Sequence, residues 1–241
     1  KIMQENYFTV HPSKINQNSF TLSKEESNHI IKSLRGKIGD EIWLLDGLGV
    51  AHQGSIDSIN DQHVSGLIID SYSNYGESNF SVNLIIGLIK GHRMDIILEK
   101  ATELGVKTIQ PLLMDHCVKT KLNRDRAEKI IIAAAKQTGR SLFPKVYEPI
   151  SLSDWLSDHN IELSIACYMN GNNSISDVIA GDQKTINIII GPEGDFSNTE
   201  LNQFQDAKIE LVNLSSRRLR SESAAIVSIA NVNQIMEGRD E

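Results

Sequence analysis

The chain has 241 residues, 40% of them hydrophobic, which suits one large or two ordinary globular domains. No apolar run approaches the roughly 18 residues that span a bilayer, and no amino-terminal stretch reads as a secretory signal. A net charge of −7 argues against a nucleic-acid partner, yet Gly87–Lys145 carries 12 Lys+Arg against 6 Asp+Glu, so a polyanion would meet a locally basic middle third.

In chain order, residues 1 to about 72 read as β-rich. Ser23-Lys-Glu-Glu26 has the form of a capping box and predicts a short helix running toward Leu34. Glu41–Asp46 and His63–Asp70 are strand candidates, with turn signals at Gly39-Asp40 and Asp46-Gly47-Leu48-Gly49. Several short strands with one helix predict a small barrel. Ser71–Ser78 is polar and nearly free of aliphatic residues, so it reads as a linker.

After it the pattern changes. Val82–Ile89 is an apolar run, Met94–Leu104 has helical spacing, Thr108–Leu113 reads as a strand and Asn123–Thr138 as a helix. Leu163–Cys167, Ile186–Ile190 and Ile209–Leu214 are strand-like, with helices over Asn198–Asp206 and Glu222–Met236. Apolar strands alternating with helices predict a parallel sheet covered on both faces, an α/β domain.

Cys117 and Cys167 lack Cys-x-x-Cys spacing and are expected as small core residues of a cytoplasmic protein. The seven histidines show no metal-ligand spacing, so no metal is expected. No Ser/His/Asp or Cys/His triad can be assembled.

Two loops stand out. Ile188-Ile-Ile-Gly-Pro-Glu-Gly-Asp-Phe-Ser197 runs from a strand into a second capping box, Ser197-Asn-Thr-Glu200. Gly191 and Gly194 permit positive φ and close backbone approach, and Pro192 stiffens the turn. By itself a Gly-Pro-x-Gly turn reads more readily as a structural connection than as a ligand loop. The second loop brings Arg217, Arg218 and Arg220 up to a helix whose first turn holds Glu222. Helix-end electrostatics accounts for Glu222 but not for three arginines, which suggest an anionic ligand. Loops at the carboxyl ends of neighbouring strands are where such sheets build sites. The run Lys119, Lys121, Arg124, Arg126 and Lys129 reads either as a solvated face or as a surface for a polyanion.

Five ordered blocks then carry a resemblance. They are Lys90-Gly-His-Arg-Met-Asp95, Lys100-Ala-Thr-Glu-Leu-Gly105, Ala133-Ala-Ala-Lys-Gln-Thr-Gly-Arg140, Gly191-Pro-Glu-Gly194 and Leu219-Arg-Ser-Glu-Ser-Ala224. With Leu34-Arg35 and Gly39-Asp40-Glu41, the chain resembles the RsmE family over most of residues 8 to 235. That family comprises small-subunit ribosomal RNA uridine-N3 methyltransferases of the SPOUT superfamily. The resemblance implies a PUA-like RNA-binding barrel over residues 1–72 and a trefoil-knotted methyltransferase domain over 73–241. It also implies a homodimer, S-adenosylmethionine as cofactor, and 16S rRNA or the assembled small subunit as partner.

The residues carried over are Gly191, Pro192, Glu193, Gly194, Leu214, Ser215 and Leu219 for the cofactor. Arg220, Glu222 and Glu193 are carried over for catalysis. For RNA they are Arg35, Lys37, Lys90, Arg93, Lys119, Lys121, Arg124, Arg126 and Arg140. Where the family usually has glycine, this chain has Asp195 and Ser215; Arg218 replaces isoleucine, and Ser221 and Ser223 replace threonine. Two other readings are a SPOUT enzyme acting on a tRNA base or ribose 2′-OH, and a non-catalytic rRNA-binding assembly factor.

Overall fold

The computed structural model describes residues 6–60, 63–158, 163–179 and 183–238. They fall into two compact units. The first takes the chain up to Ser78 together with Ile132–Phe143, and the second takes Asn79–Ile131 and the chain from Pro144 onward.

In the first unit, short runs alternate apolar and polar side chains, as half-buried strands require. The elements are β1 (Tyr7–Thr9), β2 (Ile15–Asn16), β3 (Ser19–Thr21), α1 (Lys24–Asn28), β4 (Glu41–Leu45), β5 (Val50–Ile59) and β6 (Val64–Ser73). The strands form one sheet in the order β1-β4-β5-β6-β3-β2, antiparallel except for the β1–β4 pair. Phe8, Phe20, Ile30, Leu44, Ile56 and Val64 fill its core.

Two expectations change here. Ser23 Oγ accepts the Glu26 N–H at 3.2 Å, but Glu26 does not return the bond. Its buried carboxylate instead accepts from the Thr9 N–H and hydroxyl, at 3.1 and 2.7 Å, and from Lys136 Nζ at 2.7 Å. The second change is that Ser71–Ser78 is no linker. β6 runs to Ser73, Tyr75 stacks on Trp43 at 5.0 Å, and Glu77 takes a two-point contact from Arg140. Polarity misleads here because an aromatic ring and a paired carboxylate both bury well once their partners arrive from elsewhere in the chain. One of those partners, Arg140, follows Gly139, where a Cβ would lie 2.6 Å from the Tyr7 ring.

The second unit is α/β. Its elements are β7 (Ser81–Gly87), α2 (His92–Glu103), β8 (Thr108–Leu113), α3 (Arg124–Thr138, its last turns belonging to the first unit), β9 (Lys145–Val146) and β10 (Ile150–Ser151). They continue as α4 (Leu152–Asp158), β11 (Ser164–Cys167), α5 (Ile175–Val178), β12 (Thr185–Ile190), α6 (Asn198–Asp206), β13 (Glu210–Val212) and α7 (Ser221–Glu237). All strand pairs are parallel, in the order β10-β8-β7-β12-β11-β13, with β9 beside β8. β7 and β12 read as continuous apolar runs because both faces of the sheet are covered.

This strand order positions the site. From β11 the chain passes through α5 and inserts β12 between β7 and β11. It then goes through α6 to β13, on the far side of β11, and returns as α7 against β12, β7 and α2. The carboxyl ends of β12, β11 and β13 thus lie side by side.

Candidate active site

The loop after β12 spans Gly191–Ser197 and ends in a complete capping box. Ser197 Oγ accepts the Glu200 N–H at 3.2 Å, and Glu200 accepts the Ser197 N–H at 2.8 Å. The buried Glu200 carboxylate also accepts the Asp115 N–H at 2.9 Å. Pro192 O accepts the Asp195 N–H at 3.0 Å, closing a tight turn.

The conformational demand in this loop falls on a different residue from the one expected. Neither Gly191 nor Gly194 has positive φ; Asp195 does, at φ 64. Its own Oδ1 accepts the Phe196 N–H at 2.9 Å, a local bond that helps a non-glycine residue hold the left-handed region. Gly194 is small for another reason. A Cβ there would lie 2.6 Å from His116 Cβ, and the His116 ring bonds to Asp195 O at 2.9 Å. Gly87, at the end of β7, is likewise needed where Pro192 comes within 2.6 Å of its Cβ position.

The loop after β13 is shaped by its own polar side chains. Asn213 Oδ1 accepts the Ser215 N–H at 2.8 Å, Ser215 Oγ accepts the Arg217 N–H at 3.1 Å, and Asn213 Nδ2 donates to Met169 O. The two loops are joined by one buried bond, from Ser221 Oγ to Gly191 O at 2.8 Å.

Between them lies a cavity of about 290 Å³. Of the residues carried over for cofactor and catalysis, Gly191, Pro192, Glu193, Leu214, Ser215, Leu219 and Arg220 line it. Gly194 does not, since it faces His116. Glu222 does not line it either. Sequence reasoning missed Cys167, Tyr168 and Met169, which the end of β11 contributes, and it placed Arg93 elsewhere. A strand end beside the two loops was the available signal for the first three. Burial pushes the Cys167 thiol up to about 12, with Ser228 offsetting part of the shift, which favours its protonated form.

The charges are arranged unevenly. Arg217, Arg218 and Arg220 are exposed at the rim, and their guanidinium groups have no hydrogen bond or ion pair among the described residues. Arg93 lies in the cavity wall, with Nη1 3.9 Å from Glu193 Oε1 and Nε 3.7 Å from Glu222 Oε1.

The residues expected to hold RNA divide. Arg35, Lys37, Lys90 and Lys121 are exposed; Lys119 lines a second cavity of about 230 Å³ with His92, Asn123 and Arg126. Arg124 pairs with Glu148 at 3.1 Å, and Arg126 grips Asp95 at 3.0 and 2.8 Å, holding that carboxyl below its ordinary range. Arg140 is a correction. Its side chain and that of Glu77 are each 3% exposed, so the charge is spent inside the first unit and does not face solvent. Among the described residues no cluster of His, Cys, Asp and Glu could hold a metal ion, and no helix is long and apolar enough to cross a membrane.

Comparison with known proteins decides the family. The RNA methyltransferase domain family matches residues 76–233, and the RNA methyltransferase PUA domain family matches residues 22–69. The ribosomal RNA small subunit methyltransferase E of Rickettsia conorii is 30% identical over 229 residues, 91% of this chain and 92% of its own. The chain belongs to the ribosomal RNA small subunit methyltransferase E family. Among solved structures, the family's Neisseria gonorrhoeae protein bound to S-adenosylmethionine superposes with a TM-score of 0.88 at 27% identity, over 96% of this chain and 98% of that one. A probable rRNA methyltransferase from Porphyromonas gingivalis gives 0.88 at 26% identity, covering 97% and 99%. These likenesses carry the methyltransferase fold of the second unit and the PUA-like character of the first.

Proposed function

We propose that this chain methylates N3 of a uridine in 16S ribosomal RNA, using S-adenosylmethionine held in the cavity between the Gly191–Ser197 and Asn213–Arg220 loops. The observation that carries this reading is the donor set of that cavity. Tyr168, Ile190, Leu214, Leu219 and Ala224 supply an apolar wall suited to an adenine ring. The carboxylate of Asp195 suits a ribose diol or an ammonium, and the rim arginines Arg217 and Arg218 suit a carboxylate. The gonococcal relative's structure, which holds S-adenosylmethionine, supports the same choice of cofactor.

The cofactor, when bound, supplies a methyl group on a sulfonium centre whose departure leaves a neutral thioether. The protein's task is alignment and charge. A target base must be unstacked to reach a cavity of this kind. Glu193, in the cavity wall, takes the N3 proton, and the nitrogen lone pair so released forms the new N–C bond. Until that bond forms, the negative charge of the deprotonated base is spread over O2 and O4, and Arg220 meets it with a guanidinium not committed elsewhere among the described residues.

The reading extends to the rest of the chain. Residues 1–72 act as the PUA-like RNA-binding domain and 73–241 as the methyltransferase domain, threaded as a trefoil knot. The enzyme works in the cytoplasm as a homodimer. Arg35, Lys37, Lys90, Lys119 and Lys121 hold the RNA backbone, and Arg124 and Arg126 do so only by releasing Glu148 and Asp95. Titration calorimetry of S-adenosylmethionine into the purified chain tests the cofactor assignment: saturable one-to-one binding is expected, and no binding would leave the non-catalytic RNA-binding reading.

A further inference from the structure

Glu222 poses a problem. It stands in the first turn of α7, where the helix dipole favours a carboxylate. Yet its Oε2 is buried with no hydrogen-bond partner among the described residues, while its Oε1, on a side chain 14% exposed, lies 3.7 Å from the Arg93 guanidinium. A buried carboxylate oxygen left unpaired costs free energy and calls for an explanation. Direct proton transfer does not provide one, because Glu222 is not in the cavity wall.

Arg93 does. Its guanidinium reaches Glu222, in the first turn of α7, with Nε and Glu193, in the loop after β12, with Nη1. Glu193 is further restrained by the Lys90 N–H, 3.4 Å from the same Oε1 that faces Arg93. At 3.7 and 3.9 Å the two ion pairs are longer than hydrogen bonds, so a small inward movement of either loop would turn them into bonds. A planar guanidinium presents Nε and Nη1 in a fixed fork that sets the angle of both carboxylates; an ammonium can touch two carboxylates, as Lys100 touches Glu99 and Glu103, but as a point charge it sets no such angle.

We infer that Arg93 is a positioning residue for methyl transfer: anchored by Glu222, it holds the Glu193 carboxylate at the angle from which it meets the base. This rests on the proposed function above and replaces the expectation that Arg93 contacts an RNA phosphate.

The test measures single-turnover methylation of an rRNA fragment at saturating cofactor and RNA, for the parent, Arg93→Ala, Arg93→Gln, Arg93→Lys, Glu222→Gln and Arg93→Ala/Glu222→Gln. Cofactor affinity, RNA affinity against salt and melting temperature are followed in parallel. The expected result is a loss of rate on the order of 10²-fold in Arg93→Ala and Arg93→Gln, as for a misplaced reacting group, with both affinities and the salt slope unchanged. Arg93→Lys stays impaired, and the double variant is no slower than Arg93→Ala, since both residues act along one chain of contacts. An unchanged rate with the salt slope reduced by about 1 would make Arg93 a phosphate contact and overturn the inference. So would full rescue by lysine, or a rate loss that tracks the melting temperature across the variants. A parent chain that fails to bind S-adenosylmethionine would overturn the functional reading itself, which is a separate outcome.

Discussion

Ser221 donates its hydroxyl to the carbonyl of Gly191 across 30 positions of sequence, in a buried bond of 2.8 Å. It is the bond that fastens the start of α7 to the loop after β12. Removing the hydroxyl leaves a buried carbonyl without that donor, at a cost of about 1–3 kcal/mol. Ser221→Ala is therefore expected to weaken S-adenosylmethionine binding about tenfold or more, whereas Ser221→Thr, which keeps the hydroxyl, preserves it. Calorimetry on the two variants makes the comparison, and equal affinities would show the bond to be incidental to the cavity.

Arg140 and Glu77 form a buried two-point pair at 3.0 and 2.8 Å. Breaking such a pair by removing one partner strands the other charge, typically at about 3–5 kcal/mol. Arg140→Ala should lower the denaturation midpoint sharply while leaving the salt dependence of RNA binding unaltered in whatever folded protein remains. A reduced salt slope with normal stability would return Arg140 to the RNA surface.

Gly194 and Asp195 should respond in opposite directions. Gly194→Ala places a methyl 2.6 Å from His116 Cβ and is expected to cost about 1–3 kcal/mol through overpacking. Asp195→Gly removes a side chain from φ 64 and is expected to leave stability unchanged or raise it by up to about 1 kcal/mol. Thermal denaturation of the two variants decides it; a destabilised Asp195→Gly would mean that the bond to Phe196 outweighs the backbone strain.

His52 gives the first unit a pH dependence. Burial pushes its imidazole below the ordinary value of 6.5, with Asp46 offsetting part of the shift, and its Nδ1 lies 2.7 Å from Ser71 Oγ. A group that binds its proton less readily when folded is protonated first in the unfolded chain. Its contribution is thus complete above 6.5 and is lost as pH falls from there toward the depressed folded value. Denaturant midpoints between pH 8 and pH 5 should fall less steeply in His52→Gln than in the parent, and parallel curves would contradict this.

The second unit was largely legible because its strands are buried on both faces and its helices carry their own punctuation. Ser197 and Glu200 announced α6, and the apolar run beginning at Val82 became β7 with little change. β5 is hard to read from sequence because its buried positions include Ala51, His52 and Gly54, with Ile56 as the one fully buried branched aliphatic. Glu26, Tyr75 and Glu77 were misread for a shared reason: each finds its partner far along the chain, and polarity alone does not reveal a distant partner. At the site, the loop residues were visible as residues, but their division of labour was not. Whether Arg93 faces a phosphate or two carboxylates depends on where α2 and α7 come together. The left-handed residue is Asp195, held by its own bond to Phe196, while Gly194 is needed for the space that His116 takes beside it.

The central claim is tested most directly by mass-spectrometric mapping of modified nucleosides in small-subunit rRNA, from cells lacking this protein and from the same cells supplied with it. One 3-methyluridine is expected to disappear from 16S rRNA in its absence and to return on complementation, but not with an Arg220→Ala form that still binds S-adenosylmethionine. An unchanged set of 3-methyluridines, or loss of a methylated ribose or a tRNA base in its place, would contradict it.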